Sequence, residues 1–189
     1  MRQLSQIKAA LPQAVQGSSM IKPSVFVAST ALAFVAASAL AQPATLDVRA
    51  TMQQRVNPAM MAIWDVGNNA LNDEGGIDPK LMDGAKWAQV AEAADQLAAV
   101  GKDMAGAQGF IAAAPGNSEV GDGEITMAAV QQHIDGDPAG LKQMAAAFAD
   151  HAQRLATAAR AKDAATAGDL IAEMDGVCET CHARYWYPE

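Results

Sequence analysis

The sequence predicts an all-α protein of four helices, with a long connector between the second and the third. Three observations carry this. Alanine is abundant alongside Leu, Met, Gln and Glu, a helix-forming composition, and aromatic residues are few. Apolar residues recur at three- and four-residue steps, the period of one helix face. No stretch shows convincing strand alternation, and no internal repeat is visible.

The first helix is expected from Leu46 to Leu71, with Met52, Val56, Met60, Ile63, Gly67 and Ala70 on its inner side. Pro58 interrupts it, because a proline inside a helix removes a backbone bond and kinks the axis. A break into two helices is the alternative. The second helix begins near Asp83, a plausible N-cap, or earlier at Asp78-Pro79. Trp87, Val90, Ala94, Leu97, Gly101 and Met104 form its stripe, and Gly106 and Gly109 suggest its end. From Ala105 to Gly136 the chain reads as a connector, with turn signals at Pro115-Gly116-Asn117-Ser118 and Gly121-Asp122-Gly123. Ile125 to Ile134 could add a short helix. A connector this long is either a crossover wrapped on the other helices or a partner-facing loop.

Helix three starts at Asp137, an N-cap, with Pro138 in the first turn. Leu141, Met144, Phe148, Ala152, Leu155 and Ala159 line one side. A short break at Lys162-Asp163 leads to helix four, striped by Leu170, Met174, Val177, Cys178, Cys181 and Tyr185.

The N-terminus has a different character. Met20-Ile21-Lys22-Pro23 precedes an uncharged apolar run from Val25 to Leu40 that ends Ala39-Leu40-Ala41. A basic start, an apolar run and a small-x-small site describe a signal peptide over residues 1–41, with Met20 as an alternative start and Gln42 as the mature terminus. The run is short for a membrane span, which needs ~20 residues, although an uncleaved anchor is the alternative. The remaining domain, 42–189, suits a single core. Residues 1–41 hold Arg2, Lys8 and Lys22, so 10 of the 13 basic residues face 21 acidic ones and the mature charge is near −11. Nucleic acid and anionic membranes are poor partners for such a chain, and a basic protein partner is the natural one. The acidity also serves solubility.

The two cysteines of the chain lie in Cys178-Glu179-Thr180-Cys181-His182. C-x-x-C-H is the attachment signature of c-type haem. On a helix, positions i and i+3 share a face, so two sulfurs can reach the two vinyl groups on one porphyrin edge. His182, four residues after Cys178, falls on that face and can ligate the iron. Cofactor-binding residues are therefore Cys178, Cys181 and His182. Three plainer readings compete: a reversible dithiol, which lacks the usual βαβ surroundings; a zinc site, which would need His133 and His151 as further ligands; and a structural disulfide, which leaves His182 without a role. Since the cysteines continue an apolar stripe, the porphyrin would sit against the core.

The segment Cys178-Glu-Thr-Cys-His182-Ala-Arg-Tyr185-Trp186, ending the last of four helices, resembles the class II c-type cytochromes, the cytochrome c′ group. Asp137 to Trp186 looks like that family's last helical hairpin. Asn57-Pro58, Ile63-Trp64 and Lys86-Trp87 resemble a periplasmic monohaem cytochrome c subgroup. The resemblance implies an antiparallel four-helix bundle, one covalent haem c with its iron, and a periplasmic location. It leaves open the far side of the iron. Some members have a vacant apolar face admitting small gases, and others use a methionine of the first helix. Met52 is the candidate metal ligand here beside His182, with Met60 or Met61 as alternatives and a core-filling role as the plainer reading.

His133 reads as solvated and His151 as flanking or on the surface. Trp64 and Trp87 either cover the haem edge or fill the core. Arg49, Arg55 and Arg184 could pair with haem propionates. Single-electron transport is the foremost functional expectation, and binding of NO or CO the second. Peroxidase-like chemistry ranks last, for want of a distal acid–base pair, so an enzyme is not expected. A homodimer is compatible with the sequence.

Overall fold

A computed structural model of the chain describes residues 45–187, apart from residue 74. The signal peptide expected over residues 1–41, the alternative start at Met20 and the cleavage before Gln42 all lie outside the described residues.

The chain opens with β1 (Leu46–Asp47), then α1 (Val48–Thr51), a π-helical turn (Met52–Val56) and α2 (Asn57–Asn68). A 3-10 turn (Pro79–Leu81) precedes α3 (Gly84–Gly106). After β2 (Phe110–Ile111) come α4 (Met127–Gly136), α5 (Pro138–Ala161) and α6 (Ala164–Tyr185). Helix dominates, and the all-α expectation stands.

Where the first helix was expected to kink at Pro58, the structure has a wider turn just before it. Asn57 N–H donates five residues back to the Met52 carbonyl. A proline ring collides with the carbonyl four residues earlier and supplies no N–H. The widened π-helical turn directly before Pro58 is where the helix takes up the ring and the missing N–H. The wide turn carries more than 3.6 residues. It therefore keeps Met52, Val56 and Met60 on one side, and Val56, Met60, Ile63, Gly67 and Ala70 are buried. The helix starts two residues later than expected, because Leu46 and Asp47 pair in parallel with Phe110 and Ile111. A two-residue strand has no periodicity to detect.

Both start signals of the second helix are used. Asp78 accepts from Lys80 N–H and caps the 3-10 turn, and Asp83 accepts from Lys86 N–H and caps α3. Every expected inner residue of α3, from Trp87 to Met104, is buried.

The connector is a strap laid over the start of the first helix. Asp47 accepts from Ala114 N–H at 2.8 Å, Arg49 N–H donates to the Ala112 carbonyl, and Asn117 donates to Gln53. The extra helix expected at Ile125–Ile134 appears as α4, capped by Thr126, whose hydroxyl accepts from Ala129 N–H. Asp137 caps α5 through Gly140 N–H. Lys162 ends that helix in the left-handed region, at φ 56°, and Asp163 caps α6 through Thr166 N–H.

The helices meet in identifiable pairs. Between α3 and α5, Asp95 pairs with Arg160 and Lys102 donates to Gln153. Between the first helix and α3, Arg55 pairs with Asp103, and Gln89 donates to the Ala62 carbonyl. Between α5 and α6, Tyr185 donates to the Asp137 carbonyl, and His151 bonds the Leu170 carbonyl. Gly67 of α2 lies against Ile171 of α6.

The tightest approach is at Gly101, where an added Cβ would stand 2.8 Å from both the Ala145 carbonyl oxygen and Ala149 Cβ. Two of the obstructing atoms are backbone, which cannot rotate away. Gly101→Ala should therefore destabilise the fold by ~1–3 kcal/mol, the usual cost of overpacking, despite alanine's better helix propensity. Urea denaturation checks this, and a stabilised variant would contradict the close approach.

Candidate functional site

Asp163 starts α6 and nothing breaks it before Tyr185, so the C-x-x-C-H segment is helical throughout. Cys178, Cys181 and His182 are half-buried, whereas Glu179 and Thr180 between them are exposed. The three inward residues line one cavity of about 530 Å³. That volume falls within the ~300–1,000 Å³ range of ligand pockets.

Most of the cavity wall comes from three elements, with Met104 of α3, Glu124 of the connector, and Trp186 and Tyr187 completing it. From α6 come Val177 and the three motif residues; from α5, Leu141, Met144 and Phe148; from the first helix, Arg49, Met52, Met60, Met61 and Trp64. Met144, Phe148 and Val177 are half-buried where the sequence pattern expected inner positions, because they face this cavity and not another helix.

Burial sets the charge states. It pushes the Cys178 thiol up, with Asp175 adding to the effect. Burial, then the neighbouring Cys178, pushes Cys181 up to about 11. Both sulfurs are thiols at neutral pH, whereas reactive dithiols depend on a lowered pKa. This weighs against the reversible-dithiol reading. Burial lowers the His182 value, opposed by Glu179. Its imidazole is thus held neutral, the form that ligates a metal.

Among the described residues, one buried side-chain polar atom is left over. Arg49 Nη1 lies 3.3 Å from Met127 Sδ and 3.7 Å from Glu124 Oε2, but its Nε is buried with no partner. A buried donor of this kind costs about 1–3 kcal/mol until an acceptor arrives. A carboxylate on the rim of a flat apolar group would satisfy it while the apolar walls accept the rest. The residues present therefore fit haem. Cys178 and Cys181 would hold it covalently, His182 would ligate its iron, and Arg49 would take a propionate. Of the other two arginines expected at propionates, Arg55 pairs with Asp103 and Arg184 with Asp137, and neither lines the cavity.

The remaining candidates separate. Trp64 lines the cavity, while Trp87 is core. Met52 lines the cavity with Met60 and Met61, and Met61 is 61 % exposed. His133 is exposed on α4, in line with a solvated residue. His151 corrects its expectation of a flanking or surface place. It is only 7 % exposed, with Nε2 2.8 Å from the Leu170 carbonyl oxygen. The bond to the Leu170 carbonyl of α6 removes the penalty of burying the ring. Neither histidine lines the cavity holding the cysteines.

Sequence reasoning did not single out Glu124, Tyr187 or a role for Trp186. Glu124 accepts from Gly121 N–H and the Trp186 indole, which closes the connector over the end of α6. No spacing rule links residue 124 to residue 186. An aromatic pair just after the haem motif was the available signal for Trp186 and Tyr187.

A model of the family described as Cytochrome C' matches residues 70–186. Neither the curated proteins nor the solved structures compared with the chain give a match. The family match spans more than half of the chain, and the protein belongs to the cytochrome c′ family of class II c-type cytochromes. Membership implies covalently bound haem c with its iron. The match begins at residue 70, beyond α2, so the first helix with Met52 lies outside it. Among the described residues, no helix is long and apolar enough to cross a membrane.

Asp137 ties the end of the haem-motif helix to the start of α5 through its bonds with Gly140, Arg184 and Tyr185. The Gly140 N–H, and then Arg184, hold its carboxyl below the usual aspartate range against the opposing effect of burial. A depressed folded value stabilises above the unfolded pKa and is lost as pH falls through the folded one. Asp137→Ala should therefore lower the thermal midpoint at pH 7. The gap to wild type should close as pH drops below about 3.8, the unperturbed aspartate value. Calorimetry across pH 2–7 reads both, and a gap independent of pH would show that the charge contributes nothing.

Proposed function

We propose that this chain is a periplasmic monohaem c-type cytochrome that carries single electrons. The observation that carries the reading is the cavity. Both cysteines of the chain and His182 form its α6 wall, and three methionines stand in its first-helix wall.

The scaffold we infer is an antiparallel four-helix bundle. Residue pairs support it: Asp95 with Arg160 and Lys102 with Gln153, Arg55 with Asp103 and Ala62 with Gln89. In each, position rises along one helix as it falls along the other. The contact of Tyr185 with Asp137 supports the same relation for α5 and α6.

When bound, haem supplies one-electron exchange between ferric and ferrous iron. The chain's own residues do the rest. Cys178 and Cys181 fix the group in place, and neutral His182 offers a ring nitrogen. Arg49 binds and orients a carboxylate. Trp64, Phe148 and Trp186 exclude water, which lowers the local dielectric around the site. Met52 is the proposed sixth ligand, as a soft thioether on the helix facing the motif. Two cysteines allow one thioether-bound haem per chain. The apolar run at Val25–Leu40 supports export. The mature charge near −11 favours a basic redox partner through electrostatic steering.

Binding of NO or CO is the second reading. It draws on the apolar character of Phe148, Leu141 and the methionine side chains, which would shelter a small uncharged molecule if the sixth position is open.

The periplasmic protein should keep its haem through acid–acetone extraction, and its mass should show one haem per chain. Release of all haem on extraction would refute covalent attachment. If Met52 is the sixth ligand, wild type should be low-spin and slow to bind CO. Met52→Ala should then turn the iron high-spin and lower the reduction potential, since a thioether ligand raises it. A high-spin wild type unchanged by Met52→Ala would shift the function towards gas binding.

A further inference from the structure

An axial histidine needs more than a helix to orient it. The backbone of α6 sets where the His182 Cβ points, but rotation about the bond to the ring is broad. Ligating histidines usually have the ring fixed by a hydrogen bond from the second nitrogen to a carboxylate or carbonyl. Among the described residues, the His182 ring makes no such bond. What the ring does meet is aromatic. Tyr187 stands edge-to-face with it, the ring centroids 6.0 Å apart and the planes at 86°. This is a preferred arrangement for two aromatic rings, with the edge of one against the face of the other.

The backbone makes the contact reproducible. The His182 carbonyl accepts from both Trp186 N–H and Tyr187 N–H, each at 2.8 Å. The chain thus turns back on itself directly after α6 and brings residue 187 over residue 182. The hook is held from outside as well, because the Trp186 indole donates to Glu124, which faces Arg49. Tyr187 lines the cavity beside His182 and is itself 42 % exposed, so its ring is not spent on filling the core.

We propose that Tyr187 is a positioning residue that sets the rotation of the His182 imidazole plane, in place of the usual hydrogen-bonded acceptor. This inference rests on the cytochrome reading and adds a residue to it. The orientation of an axial imidazole decides how unpaired spin is shared around the porphyrin, whether or not a sixth ligand is present. Tyr187 therefore acts on the site through His182, without touching the iron.

The test uses the mature holoprotein with Tyr187 changed to Phe, Leu or Ala. Proton NMR of the ferric form gives the shifts of the four haem methyl groups. Tyr187→Phe keeps the ring edge and should retain the wild-type order of these shifts. Tyr187→Leu and Tyr187→Ala should both change that order. Unchanged helical circular dichroism and one covalent haem per chain in all three would show that the fold is intact. Identical methyl patterns in all variants, or a Phe variant as altered as the Ala one, would overturn the proposal. A wild type that takes up no covalent haem would instead overturn the cytochrome reading itself.

Discussion

The close approach of α3 and α5 is the constraint on which the other helices depend. Gly101 lies against the backbone of Ala145 and Ala149, leaving no room for a side chain between them. Further along α5, Ala152, Ala156 and Ala159 are all fully buried. Small side chains allow two helices to pack closely along this half. Towards the start of α5, Leu141, Met144 and Phe148 line the cavity, with Ala145 between them at the Gly101 contact. A tight contact and an open side in one set of helices is how a chain without large aromatic content keeps a cavity of this volume. The tight contact stabilises the fold, and the open side receives the cofactor.

Desolvation gives that cavity its chemical character. One cause, removal from water, raises both thiols and lowers the imidazole, so all three motif side chains are neutral. Against this apolar, uncharged lining stands the Arg49 guanidinium, one of its nitrogens buried and unpaired. A group with an apolar body, two reactive edge carbons and carboxylates elsewhere on its rim complements such a site in each respect. Glu124 already shares Arg49, so the connector and the first helix are joined at the place where the charge of the cofactor would be met. The connector is thereby part of the site's wall.

The first helix is where this chain departs from a regular pattern. Its π turn allows Pro58 to enter α2 without a clash and holds Met52 on the cavity side. It is also the part of the described chain that precedes the family match. The helix that carries the attachment residues is thus common to the family model, while the methionine wall is read from this chain's own packing.

The sequence by itself determined the helical class, the caps at Asp83 and Asp137, the break at Lys162-Asp163, the inner stripes of the long helices and the place of the attachment motif. Each is a local property: a cap needs three residues, a stripe needs one helix, and C-x-x-C-H needs little more than one turn. Only the tertiary structure decided the rest. It left Arg49 Nε unpaired, whereas Arg55 and Arg184 meet carboxylates 48 and 47 residues away. It buried His151, since the carbonyl that satisfies it belongs to another helix. It turned the connector into a strap through bonds from Ala114 and Asn117 to Asp47 and Gln53. It folded Tyr187 back over His182. Contacts between residues far apart in the chain leave no period in the sequence, and they depend on which helices the packing brings together.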